Sequence, residues 1–153
     1  MTISSIEQPI EQQHTGKGNP NAILLYDVEL NNRQKELLDK LPEYDSRTTV
    51  SKNDVNMSDL SALTAKTGDE FAMFTKGNER LIIRGAYNKV NIGLEEADFL
   101  ASQGYKWSGH THPGTDMHCL EASGGDWQIL SCFHQSSMVI YNSKGQYRLF
   151  IKE

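Results

Sequence analysis

The chain has 153 residues, enough for one domain with its own core, and its 37% hydrophobic and 23% charged residues are those expected of an ordinary soluble protein. A formal net charge of −5 without a cluster of Lys and Arg argues against a nucleic-acid surface. No run of about 18 apolar residues offers a membrane span. Residues 1–13 carry neither a basic start nor an apolar core, so no secretory signal is expected. Cytoplasmic residence is the default expectation. Delivery by another route, for example as part of a larger secreted protein, is the alternative. Cys119 and Cys132 are the only cysteines and lack a CxxC spacing, which favours two buried thiols over a disulfide.

In chain order, residues 1–20 are polar, contain Gly16, Gly18 and Pro20, and predict a flexible tail ahead of a single domain over 21–153. The apolar run 23–28 is strand-like. A helix follows over 30–41, with Asn31 or Asn32 as cap, Leu37, Leu38 and Leu41 on one face, and Pro42 as its stop. A short strand over 48–50 precedes a second helix over 57–66, where Leu60 and Leu63 share a face and Gly68 closes the end. The β-rich runs 71–75 and 80–84 flank Lys76-Gly77-Asn78 and predict a hairpin.

A third helix is expected over 94–103, closed by Gly104, and an extended segment over 105–112. The stretch 113–122 reads as a polar loop. A helix over 123–133 and a hairpin of 138–141 with 147–151 complete the domain. Strands and helices are mixed without a βαβ series, which defines an α+β class.

The chemistry concentrates in Gly109-His110-Thr111-His112-Pro113 and, beyond a loop, Ser123-Gly124-Gly125-Asp126. Residues i and i+2 of a strand face the same side, so His110 and His112 can aim two imidazoles at one point. Pro113 stops the strand, and a helix starting at Ser123 brings Asp126 into its first turn. Two histidines, one carboxylate and an open position for water make a catalytic zinc site, whereas a structural site is usually closed by four protein ligands. Zinc brings the pKa of a bound water to about 7. Each half alone has a plainer reading: HxH pairs are common, and S-x-x-D is also a capping box. The two halves in this order, separated by a loop, favour the metal.

The HxHP and SxxD pattern with an upstream glutamate resembles the JAMM (JAB/MPN) metalloprotease motif. The resemblance implies a JAB/MPN-like mixed β-sheet flanked by helices, with His110, His112 and Asp126 as zinc ligands. It also implies that Ser123 helps to stabilise the tetrahedral intermediate and that an upstream Glu is the general base. Glu70, opening the strand 71–75, suits the base; Glu79 beside the turn of the same hairpin is the runner-up, and Glu95 and Glu96 belong to a solvated helix face. The spacer is slightly long and Gly124-Gly125 replaces bulkier residues. The stretch from Tyr26 through His112 is also similar to modules at the C-terminal ends of large bacterial secreted or toxin-type proteins, which implies an effector domain or a free-standing relative.

The activity implied is zinc-dependent hydrolysis of an amide or isopeptide bond in a peptide or protein substrate, ubiquitin-like proteins included. The competing readings are a metal-dependent phosphodiesterase or nuclease, since HxH also occurs in phosphoesterase sites, and a non-catalytic binding module that keeps the fold. His118 reads as an exposed loop histidine, His134 has no assigned role, and Trp107 and Trp127 read as core.

Overall fold

Capping and turn residues place the elements of the computed structural model, which describes residues 2–4, 28–122 and 124–151. Strand β1 (Thr2–Ser4) stands apart from the main sheet. Helix α1 (Asn32–Asp39) begins with a capping box: Asn31 accepts from the Gln34 amide and the Gln34 side chain accepts from the Asn31 amide. It is shorter than the expected 30–41 because Pro42 disfavours helical backbone before it, and Lys40 and Leu41 close the end with tight bonds to Leu37 and Leu38.

After β2 (Arg47–Ser51), helix α2 (Met57–Thr67) is capped by Asn56 with Asp59 and ends at Gly68, whose φ of 79° is a left-handed position that suits glycine. Strands β3 (Phe71–Lys76) and β4 (Glu79–Arg84) form the expected hairpin. The remaining elements are β5 (Lys89–Asn91), α3 (Leu94–Ser102), β6 (Lys106–Thr111), α4 (Gly124–Cys132), β7 (Ser137–Tyr141) and β8 (Tyr147–Ile151).

The main sheet runs β2-β4-β3-β6-β7-β8, antiparallel except for the β6–β7 pair. Central β3 is buried on both faces. Its Phe71 and Met73 pack with Leu37, Leu60 and Leu63 of α1 and α2, and its Ala72 and Phe74 pack with Leu100, Ile129 and Leu130 of α3 and α4. The protein is thus a single small α+β domain with helices on both faces of a mixed sheet. No helix among the described residues is long and apolar enough to cross a membrane.

Four further local expectations change. The tail expected over 1–20 contributes Thr2–Ser4 as β1, paired antiparallel with β5, and its residues 5–20 lie outside the described residues. Of the expected strand 23–28, residues 23–27 also lie outside them, while Val28 has no strand partner and packs on the α1/α2 core. The polar loop 113–122 contains a short 3-10 turn, Met117–Leu120, anchored by the buried Leu120; a single turn is too short to register as periodicity. One β-α-β unit exists after all: parallel β6 and β7 need a crossover, and α4 supplies it.

Candidate metal centre

The crossover explains why the histidines and Asp126 meet. His110 lies at the C-terminal end of β6 and His112 just beyond it, and the connection to a parallel neighbour must leave from that end. Asp126, in the first turn of α4, is therefore returned to the same edge of the sheet.

A bulge in β6 sets the direction of the imidazoles. Ala72 pairs with His110 and Met73 with Gly109, but Phe74 pairs with Trp107, so Ser108 is the extra residue. Trp107 and His110, three apart, consequently share the α3/α4 face. Their rings stack at 5.0 Å between centroids and 21° between planes. Gly109 permits the close approach of β7, since a Cβ there would stand 2.6 Å from the Val139 carbonyl oxygen. Beyond β6, the His112 N–H continues the ladder by donating to the Tyr141 carbonyl at 2.9 Å.

Glu70, His110 and His112 are fully buried, and one ligand atom from each lies within 4.8 Å of the others. The two Nε2 atoms are 3.0 Å apart, and His110 Nε2 is 3.5 Å from Oδ1 of the fully buried Asp126. Two ligands each 2.0–2.1 Å from a tetrahedral zinc stand roughly 3.3 Å apart, so these spacings fit a shared cation. Its charge also suits the setting, because buried carboxylates are costly without a compensating positive charge. The chain thus holds a buried Glu70-His110-His112 group capable of binding a metal ion, with Asp126 beside it.

His110 Nδ1, the ring nitrogen away from this cluster, has no hydrogen-bond partner among the described residues. Stacking on Trp107, rather than the hydrogen bond usual for a ligating histidine, fixes that ring.

Of the other residues singled out in the sequence, Ser123 lies outside the described residues. Glu79 is exposed and accepts a hydrogen bond from the Tyr105 hydroxyl. Glu95 is exposed, and Glu96 is ion-paired with Arg47. His118 falls in the 3-10 turn, and His134 is exposed just past α4 with φ 55°. Cys132 is a half-buried free thiol. Trp107 and Trp127 both pack in the α3/α4 core.

Sequence reasoning missed the residues that hold the loop after His112. The Gly114 and Ser143 backbones are joined by the Ser143 N–H donating to the Gly114 carbonyl at 2.8 Å, and Gly114 N–H donates to Ser143 Oγ at 3.1 Å. The buried Asn142 donates to the Asp116 carbonyl at 3.1 Å, while its Oδ1 accepts from the Lys144 and Gln146 amides. An Asn-Ser pair in a hairpin turn was the available signal, but it reads as turn chemistry alone.

Comparison of the chain with family models, with curated proteins and with solved structures gives no match.

Proposed function

We propose that the protein is a zinc-dependent amide or isopeptide hydrolase with a JAMM-type division of labour on a JAB/MPN-like sheet. The observation that carries the reading is the convergence of Glu70 on the two imidazoles with Asp126 beside them, all buried. A chance HxH pair has no reason to gather both carboxylates that the motif resemblance names.

In this reading His110, His112 and Asp126 hold the ion. When bound there, zinc supplies the Lewis acidity that brings a water's pKa to about 7. Glu70 accepts the proton of the attacking water and returns it to the leaving amine. The Ser123 hydroxyl donates to the oxygen that gains charge as the carbonyl is attacked. The burial of Glu70, His110, His112 and Asp126 lowers the local dielectric, which strengthens the charged interactions among them. The substrate class is a peptide or a protein carrying an amide linkage, including isopeptides formed by ubiquitin-like proteins.

Elemental analysis of the purified chain, followed by a panel of peptide and ubiquitin-like substrates with and without a chelator, tests the reading. About one zinc per chain and chelator-sensitive amide cleavage are expected. Release of nucleotides from RNA or DNA with added zinc or manganese, without amide cleavage, would replace it with a phosphodiesterase. A chain with no affinity for any added metal would make it a binding module.

A further inference from the structure

The β3–β6 ladder pairs Ala72 with His110 and stops there. The next rung in register would join the backbones of Phe71 and Thr111, because the Glu70 backbone, alternating to the β4 side, donates its N–H to the Ala86 carbonyl at 2.8 Å and accepts from Gly85 at 2.7 Å. A side chain replaces the missing rung. The Phe71 N–H donates to Thr111 Oγ1 at 2.9 Å, and the Phe71 carbonyl is 3.4 Å from the same oxygen. Thr111 Oγ1 is also 2.5 Å from Thr64 Oγ1 of α2, and both threonines are fully buried.

Thr111 sits between the two histidines and points to the opposite face of the sheet. Its hydroxyl joins three pieces: the strand carrying His110 and His112, the residue next to Glu70, and the helix behind them. From this juxtaposition we infer that Thr111 is a positioning residue, setting the distance of Glu70 from the two imidazoles, and that Thr64 orients its hydroxyl. The role in turnover rests on the proposed assignment of Glu70 as base.

The physical reason is that a buried amide requires an acceptor. Thr111 Oγ1 accepts the Phe71 N–H and shares a hydrogen bond with Thr64 Oγ1 in which either hydroxyl can be the donor. Valine has the shape of threonine without the oxygen, so Thr111→Val leaves the Phe71 amide to find another partner and lets Glu70 shift. Misplacement of a reacting group by about 1 Å costs on the order of 10²-fold in rate.

The test uses the full zinc-loaded chain with Thr111→Val, Thr111→Ser, Thr64→Val and the double variant Glu70→Gln/Thr111→Val. Thr111→Val is expected to lower kcat by roughly 10- to 100-fold with KM and zinc content unchanged, and to speed hydrogen exchange at the Phe71 amide. Thr111→Ser should restore both. Thr64→Val, which leaves the strand residue intact, should give a smaller loss of the same sign, and serves if Thr111→Val does not fold. The double variant should be no slower than Glu70→Gln alone, because Thr111 acts through Glu70.

Wild-type kcat in Thr111→Val, or a further multiplicative loss in the double variant, would overturn the inference while leaving the proposed function standing. If the wild-type chain cleaves no amide, the proposed function fails, and the visible spectrum of the cobalt(II)-loaded chain still decides the geometry. Thr111→Val should then change that spectrum in the same direction as Glu70→Gln. Coincident spectra for Thr111→Val and wild type would end the positioning role.

Discussion

Glu70 stands just before β3 and Glu79 opens β4, so the six residues of one strand, roughly 20 Å of extended chain, separate two glutamates of one hairpin. Glu70 is fully buried among imidazoles. Glu79 lies in solvent beyond the turn and accepts from the Tyr105 hydroxyl. Both have the same side chain, and both flank strand residues of similar composition. What separates them is the neighbour: β6 brings its C-terminal histidines to the Glu70 end, and residues 105 and 106 to the Glu79 end. A carboxylate acquires chemistry from the end of the sheet at which it is placed.

The largest way to break this contrast is to empty the Glu70 end of its proposed ligands. His110→Ala or Asp126→Ala should abolish binding of the one zinc per chain, read by elemental analysis, because a site of three protein ligands cannot lose one and keep its geometry. Full zinc occupancy in both variants would sink the ligand assignment. The next effect is on chemistry alone. Glu70→Gln preserves shape but removes the proton acceptor, so kcat should fall by about 10²–10⁴-fold with zinc retained. Glu79→Gln should leave turnover near wild type. A reversed pattern would move the base to Glu79 and contradict the burial contrast.

A smaller effect is expected from the backbone at the same end. Gly109→Ala puts a methyl group 2.6 Å from the Val139 carbonyl oxygen and 2.7 Å from Val139 Cγ1, and strands β6 and β7 must give way. The cost in unfolding free energy should be roughly 1–3 kcal/mol, the range for overpacking. Denaturant unfolding measures it. Stability equal to wild type would mean that the bulge tolerates a side chain and is not held by the approach of β7.

The helices and hairpins were legible because they depend on local rules: Asn31 and Asn56 cap, Gly68 stops, Gly77-Asn78 turns. The coming together of His110 and His112 was legible from the strand period alone. The approach of Glu70 to them was not, because it depends on antiparallel pairing between segments forty residues apart in the chain. Its choice over Glu79 came from family resemblance; the structure places Glu70, and not the exposed Glu79, with the two imidazoles. The bulge at Ser108 escaped because one extra residue leaves no mark on composition, although it determines that Trp107 stacks on His110. Thr111 escaped for a related reason: a threonine in a strand looks like ordinary β propensity, and only the tertiary structure supplies Thr64 and the Phe71 amide as its partners.

The smallest expected effect lies at the Glu79 end and sharpens the contrast from the other side. The hydrogen bond from Tyr105 to Glu79 is the main cause that raises the tyrosine's pKa from 10.0 to about 12, with burial and the carboxylate charge adding to it. Ionising Tyr105 would remove the donated proton and set two negative groups together. The sign follows from proton binding: between pH 10 and 12 the folded chain keeps a proton that the unfolded chain has released, so the contribution to stability is complete below pH 10 and is lost as pH rises through about 12. Glu79→Gln keeps an acceptor oxygen but removes the charge, and Tyr105 should then ionise nearer its ordinary value. Tyrosinate absorbance, taken as the difference from Tyr105→Phe to isolate one of the six tyrosines, reads the midpoint. A midpoint still at about 12 in Glu79→Gln would show that burial, not Glu79, holds the proton. A lowered midpoint with unchanged zinc content and turnover would show that Glu79 is engaged at the surface, where its carboxylate serves a tyrosine and not the metal centre.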